Sequence, residues 1–459
     1  MLKNLPGATA TLTALAAVMT ASVGLTQQAT EAPPVISFDL GLGVTHDDNQ
    51  SLSIADPDPV TALDTSFGLH LNTATRVQSL AFALNGIVRI GDAGGLELRD
   101  ASTTLAYHLD NGSSRISVDA SYRRSPINLF TPVIVDGGGV PVLDFVADDG
   151  ILAAGSLGFT FETGIRAPLG FRLSGNIGRN DYSDTSDPSV VDSDSHRLEA
   201  AALFHMASGT EMDLSFGTDE QTFENASDTK REGRDVSWGL TKAVSPNLTL
   251  KARLGYSLDK TTELGVATED SGMTGEVGLE TALPNGTASV RLASERDALG
   301  ARSTLTFGRS LDLPRGRLAA TVGVSSRLDE GAAQLIGSLS YTETLKSGSL
   351  AVNASRTISL NSDDEDVANT SLGLSYLHQI TPQSDISLSL DVLASGDGGS
   401  GGVDGTERQT LSITYSHDLT ADWRLTTGYQ YRHLDDDAAG NASSNSIFLT
   451  FNRSFAARR

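Results

Sequence analysis

Residues 247–260 read NLTLKARLGYSLDK, with Leu248, Leu250, Ala252, Leu254, Tyr256 and Leu258 apolar and Thr249, Lys251, Arg253, Gly255 and Ser257 polar or small between them. A period of two places the two sets on opposite faces of one strand, and faces so different meet different solvents. The alternation recurs about 22 times, from a segment beginning near Ile36 to one beginning near Asn445, mostly over about ten residues, the length that crosses a bilayer when tilted. No helix-period segment interrupts the series, which argues against parallel βαβ architectures.

The connections alternate as well. Every second one is a tight turn built on Gly, Pro or Asn: DNGS at Asp110, SG at Ser208, SPN at Ser245, LPNG at Leu283, LPRG at Leu313, KSG at Lys346, TPQS at Thr381 and TAD at Thr420. The intervening connections are mostly longer and carry the acidic runs, such as HDDNQSLSIADPDP from His46, NSDDEDVAN from Asn361 and HLDDDAAGN from His433, which read as solvated loops. Short turns at one end and long polar loops at the other make the pattern of a membrane barrel whose short turns face the periplasm. The expected fold is all-β: one transmembrane antiparallel up-and-down β-barrel of about 22 strands, with a range of roughly 16 to 24.

Tyrosine placement points to lipid. Tyr107, Tyr122, Tyr256, Tyr341, Tyr376, Tyr415, Tyr429 and Tyr431 fall on the apolar register, four toward each end of the strands, as two interfacial girdles require; Tyr182 is read as a loop residue. The other register is then a wet lumen, with pore-lining candidates Arg115, Asp119, Arg123, Lys251, Arg253, Glu276, Glu280, Arg424 and Arg432. Charges so placed need water or each other.

Composition narrows the function. The 459 residues carry a formal charge of -24, which argues against a nucleic-acid partner, and no Cys, which removes disulfides and thiolate metal sites. Residues 1–29 carry Lys3 and an apolar stretch from Leu12 to Leu25 and read as a secretory signal peptide, followed by a barrel over 35–455 and a short tail, 456–459. No cofactor is indicated.

The layout resembles bacterial outer-membrane porin-like barrels. The last strand, NSIFLTFNRSF, with Ile447, Leu449, Phe451 and Phe455 outward, resembles their C-terminal assembly signal, although Ala456, Ala457, Arg458 and Arg459 follow it. The opening strand, ISFDLGLGVTHDDN, is similar to proteobacterial barrels of exopolysaccharide-secretion loci. The resemblance implies residence in the bacterial outer membrane, insertion by the barrel-insertion machinery, and contact with membrane lipid and lipopolysaccharide. It also implies a channel for small solutes or a secreted polysaccharide. The first strand follows closely on the signal, so a receptor with an N-terminal plug is not expected.

Two other functions have candidate residues. A hydrolase would draw on His417 with Asp418 or His433 with Asp435, but Ser is so abundant that its nearness to a His has little specificity, and no catalytic residue is assigned. A non-conducting adhesive barrel would act through divalent cations at the acidic loops, where His46 to Asn49 and Asp363 to Asp366 are oxygen-rich but fit no EF-hand. The connection Ser125 to Gly150 is less polar than the others; its halves flank Asp136-Gly137-Gly138-Gly139, which suggests a hairpin folded into the lumen to narrow it.

Overall fold

The computed structural model describes residues 32–54, 56–91, 95–127, 150–185, 191–206, 209–297, 299–327, 333–360, 365–398, 405–437 and 440–458. The strands are β1 (Ala32–Asp47), β2 (Val60–Ala74), β3 (Gln78–Ile90), β4 (Leu96–Asp110), β5 (Ser114–Pro126), β6 (Ile151–Thr163), β7 (Leu169–Ser183) and β8 (Ser193–His205). They continue with β9 (Thr210–Phe223), β10 (Lys230–Ser245), β11 (Leu248–Glu263), β12 (Val266–Leu283), β13 (Gly286–Asp297), β14 (Gly300–Leu313) and β15 (Gly316–Arg327). The last are β16 (Gln334–Leu345), β17 (Gly348–Leu360), β18 (Asp366–Thr381), β19 (Ser384–Asp397), β20 (Thr406–Asp418), β21 (Trp423–Asp436) and β22 (Gly440–Arg458).

Each strand pairs antiparallel with the next, and β22 pairs with β1 from Val35↔Arg458 to Asp47↔Ser446, closing one 22-stranded sheet. Closure leaves no edge strand, so every ladder hydrogen bond is made within the sheet, the condition for crossing lipid. No described helix is long and apolar enough to cross a membrane.

Direct opposition carries one side-chain register around the wall. Leu254 stands opposite Trp238, and Trp238 opposite Leu214; all three are exposed, Leu254 by 53%. Large exposed apolar side chains continue on this face through Val277, Leu292, Phe307 and Val322. A water-soluble barrel would not display such a band, whereas lipid covers it without cost. The eight register tyrosines all lie on this outer face. Tyr107, Tyr341, Tyr376 and Tyr415 stand near the short turns; Tyr122, Tyr256 and Tyr431 stand further up, with Tyr429 near mid-strand.

Three expectations change. Tyr182 belongs to β7, opposite Leu152, on the inner register. β22 runs through Arg458, so residues 456–458 extend the last strand against β1 rather than forming a tail. The long-loop end is not uniformly long: β11 and β12 are joined by Leu264 and Gly265, at φ 48° and 78°, a two-residue turn of the kind that matches strand twist. Here the strands themselves lengthen, to 16 and 18 residues. Residues 1–29 lie outside the described residues.

Candidate functional site

The inner register faces a wall of Ser, Thr, Gly and paired charges. Lys251 donates to Glu280 at 3.1 Å, Arg253 reaches Asp213 at 3.5 Å, and Arg291 meets Glu276 at 2.9 Å, all on adjacent or next-but-one strands. Arg197 lies between Asp219, at 3.2 Å, and Asp235, at 3.4 Å. Arg424 joins Asp385 and Asp418 at 3.0 and 2.8 Å near the short turns. These pairs are half-exposed; Lys251 is 53% and Arg424 48% open. Exposed ion pairs contribute little to stability, so this wall is better described as hydrated and charged than as a core.

All nine sequence-chosen lumen residues fall on the inner register, but they form no single site. Arg115 caps a turn, bonded to Asp110; Arg123 pairs with Asp100 at 3.5 Å; Asp119 stands mid-strand opposite Gly158. Arg432 alone among the nine is deeply buried, and it organises the long-loop end of the lumen. Its Nη2 donates to Asp47 (2.9 Å), to the Ser444 hydroxyl (3.0 Å) and to the carbonyls of Asn49 and Gln50 (3.3 and 3.0 Å). Asn49 in turn donates from its side-chain amide to the Ser443 and Ser53 carbonyls. Leu52, in the left-handed region at φ 55°, packs with Leu434 and Ala442.

The first half of the β1–β2 connection is therefore folded inward through Asn49 and Leu52, while Asp48 and Asp56 stay exposed as its acidic composition suggested. The reason is that Arg432 and Ser444, on the inner face of the last two strands, lie beside the first strand at the closing seam. The β5–β6 connection, expected to narrow the lumen, lies outside the described residues over 128–149. Its base is visible: Ile127 bonds to Gly150, and the Ile127 carbonyl accepts from Arg408 of β20 at 3.4 Å, on a strand beyond the closing seam from β5.

A second buried knot ties β13, β14, β15 and β18 at the same end of the barrel. Arg327 donates to Asp297 at 2.6 and 2.8 Å and to Asp366 twice at 2.9 Å, and Arg302 also binds Asp366. Asp47 and Asp366, each placed in a candidate cation loop by the sequence, are thus neutralised by arginine. Among the described residues no three potential metal ligands gather. In the β7–β8 connection, burial and the neighbouring Asp181 push the Asp192 carboxyl upward against the Tyr182 N–H that bonds it.

The histidines weighed for hydrolysis stand apart from the lumen. His417 and His433 lie on the outward register, stacked on Tyr415 and Tyr431 at ring separations of 6.4 Å, and Asp418 is engaged by Arg424.

Sequence reasoning missed Arg99, Arg408, Arg302 and Arg327. Arg99 has a local signal: Ile87 pairs with Asp100 and Val88 with Leu98, so Arg99 is the extra residue of a bulge. The polar Asp100 that interrupts the run Leu96, Leu98 marks it, because one inserted residue turns the next side chain inward.

No protein-family model matches the chain, and no curated protein matches it. Solved structures do. The FrpB iron transporter from Neisseria meningitidis superposes with a TM-score of 0.55 at 9% identity, covering 94% of this chain and 82% of that one. The siderophore receptor PirA from Acinetobacter baumannii gives 0.53 at 9% identity, covering 94% and 81%. The ferric-catecholate import receptor Fiu from E. coli K12 gives 0.52 at 12% identity, covering 94% and 82%. These are receptors and an iron transporter rather than porins, so the likeness supports the barrel and not a porin identity. The chain has the 22-stranded fold of bacterial outer-membrane receptor barrels.

Proposed function

We propose that this protein resides in the bacterial outer membrane and conveys polar solutes through its lumen, as a diffusion channel for small solutes or an exit path for a secreted polysaccharide. The observation that carries this reading is the inner wall itself: half-exposed pairs such as Lys251 with Glu280 and Arg424 with Asp385 require water on the concave face of a barrel whose convex face is apolar. Selectivity would follow from wall charge and from the width left at the mouth. The folded β1–β2 connection narrows that mouth at the seam. Ile127, at the base of the β5–β6 connection, reaches Arg408 at the same end of the lumen.

The fold neighbours are named for iron and siderophore uptake, which supports passage of solutes and leaves the mode of passage to the wall chemistry. Lipid, lipopolysaccharide and the barrel-insertion machinery are the partners this location requires. Single-channel recording of the purified full chain in planar bilayers tests the reading. Discrete conductance steps that persist without an energy source are expected; an inserted, folded barrel that passes no current would overturn diffusion and favour a gated receptor or a non-conducting surface barrel.

A further inference from the structure

Five arginines stand at the long-loop end of the lumen, drawn from the eight consecutive strands around the closing seam: Arg89 on β3, Arg99 on β4, Arg123 on β5, Arg408 on β20 and Arg432 on β21. Arg99 lies in the field of Arg89 and Arg432, Arg408 in that of Arg432 and Arg123, and Arg432 in that of Arg89. Like charges held this close repel unless something negative joins them.

Carboxylates answer part of the charge. Asp64 takes two bonds from Arg89, at 2.6 and 2.7 Å, while Gln50 takes a third; Asp100 meets Arg123; Asp47 meets Nη2 of Arg432. Asp58, also in range, is held by the Ser51 amide and hydroxyl. Glu97 flanks Arg99, and Asp391 faces Arg408. What remains unanswered is specific. Among the described residues, Nη1 of Arg99, a side chain 7% exposed, has no hydrogen-bond partner, and Nε and Nη1 of Arg432, 2% exposed, have none.

A buried donor without an acceptor costs the full loss of its hydration, and a guanidinium costs more than a neutral group. Arg99 follows the outward-facing Leu98 and so falls on the lumen side, and the bulge turns Asp100 to the same side. We propose that the seam cluster is a binding site for an oxyanion group, a carboxylate or phosphate borne by a solute in the lumen, with Nη1 of Arg99 and the Nε–Nη1 edge of Arg432 as its donors. A planar guanidinium presents paired N–H groups that match two oxygens of either anion, which an ammonium cannot do. This deepens the conduit reading, since the solute reaches the site through the lumen, but binding is measured without conduction, so either can fail alone.

The test is calorimetric titration of the refolded full chain in detergent micelles, at fixed ionic strength, with inorganic phosphate and with galacturonate. At least one should bind the unaltered protein, and Arg99→Gln should weaken it by about tenfold or more, the worth of one charge-assisted bond. Arg291→Gln, in an exposed pair elsewhere on the wall, should leave it unchanged. Binding of galacturonate alone identifies a carboxylate-bearing sugar; binding of phosphate alone identifies a phosphorylated solute. Where Arg99→Gln does not fold, Arg99→Lys keeps the charge but loses the fork and should weaken binding several-fold. No binding of either anion by the unaltered barrel, or equal affinity in the Arg99 and Arg291 variants, would overturn the proposal.

Discussion

Replacing Arg327 by Leu should cost about 3 kcal/mol of barrel stability. Arg327 and Asp366 are each only 4% exposed, and the guanidinium makes four hydrogen bonds to two carboxylates, which tie the end of β13 to the start of β18 across the strands between. Removing one partner of a buried pair typically costs about 3 to 5 kcal/mol, because the other charge stays buried without compensation. Two features hold the value at the low end. Arg302 remains against Asp366, and Asp297 is 31% exposed and recovers water. About 3 kcal/mol is roughly a hundredfold in the folding constant.

The matched control is Arg253→Leu, where a 46% exposed guanidinium faces one carboxylate at 3.5 Å, a pair worth at most about 1 kcal/mol. Guanidinium unfolding in phosphocholine vesicles measures both variants. The two tryptophans, Trp238 and Trp423, sit 41% exposed on the outer face and report transfer from lipid to water. Equal shifts for the two variants, or a larger one for Arg253→Leu, would refute the distinction between a locked rim and a hydrated wall.

Other outcomes follow from the same geometry. Leu254→Arg, on the outward register, should cost about 2 to 4 kcal/mol in the bilayer, measured by the same unfolding titration. Replacing residues 128–149 with a short Gly/Ser linker should raise single-channel conductance while the barrel stays heat-modifiable on gels; unchanged conductance would remove that connection from the mouth. In intact cells, an impermeant thiol reagent should label a cysteine placed at Asp436 and not one at Asn285 or Ser347; the reverse would invert the barrel.

The strand count and the facing of each side chain were legible because both depend on neighbours two residues apart. Leu254 and Arg253 declare opposite solvents without reference to any other strand, and turns such as Leu283 to Gly286 declare themselves through Pro and Gly. The mouth was not legible. Asp47 looked like a rim carboxylate, yet its partner Arg432 lies 385 residues away and becomes adjacent only when β22 closes on β1. Asp366 misled in the same way, because Arg327 reaches it from three strands away. The facing of Asp100 was hidden by a single inserted residue, which reverses what period two implies, and that of Tyr182 by a strand that runs into an acidic segment. Local pattern fixed the wall, and closure built the rim.

The most direct test of a wet lumen inside a lipid-facing band is a cysteine scan of β11 in a chain that has no native cysteine. Single cysteines at positions 251 through 256, in folded barrels reconstituted into liposomes, would be exposed to a small charged maleimide and, separately, to quenching of an attached fluorophore by spin-labelled lipid. Reaction with maleimide at 251, 253 and 255 and quenching by lipid at 252, 254 and 256 is the expected result. Loss of the alternation, or maleimide reaction at 252, 254 and 256 with lipid quenching at 251, 253 and 255, would contradict it.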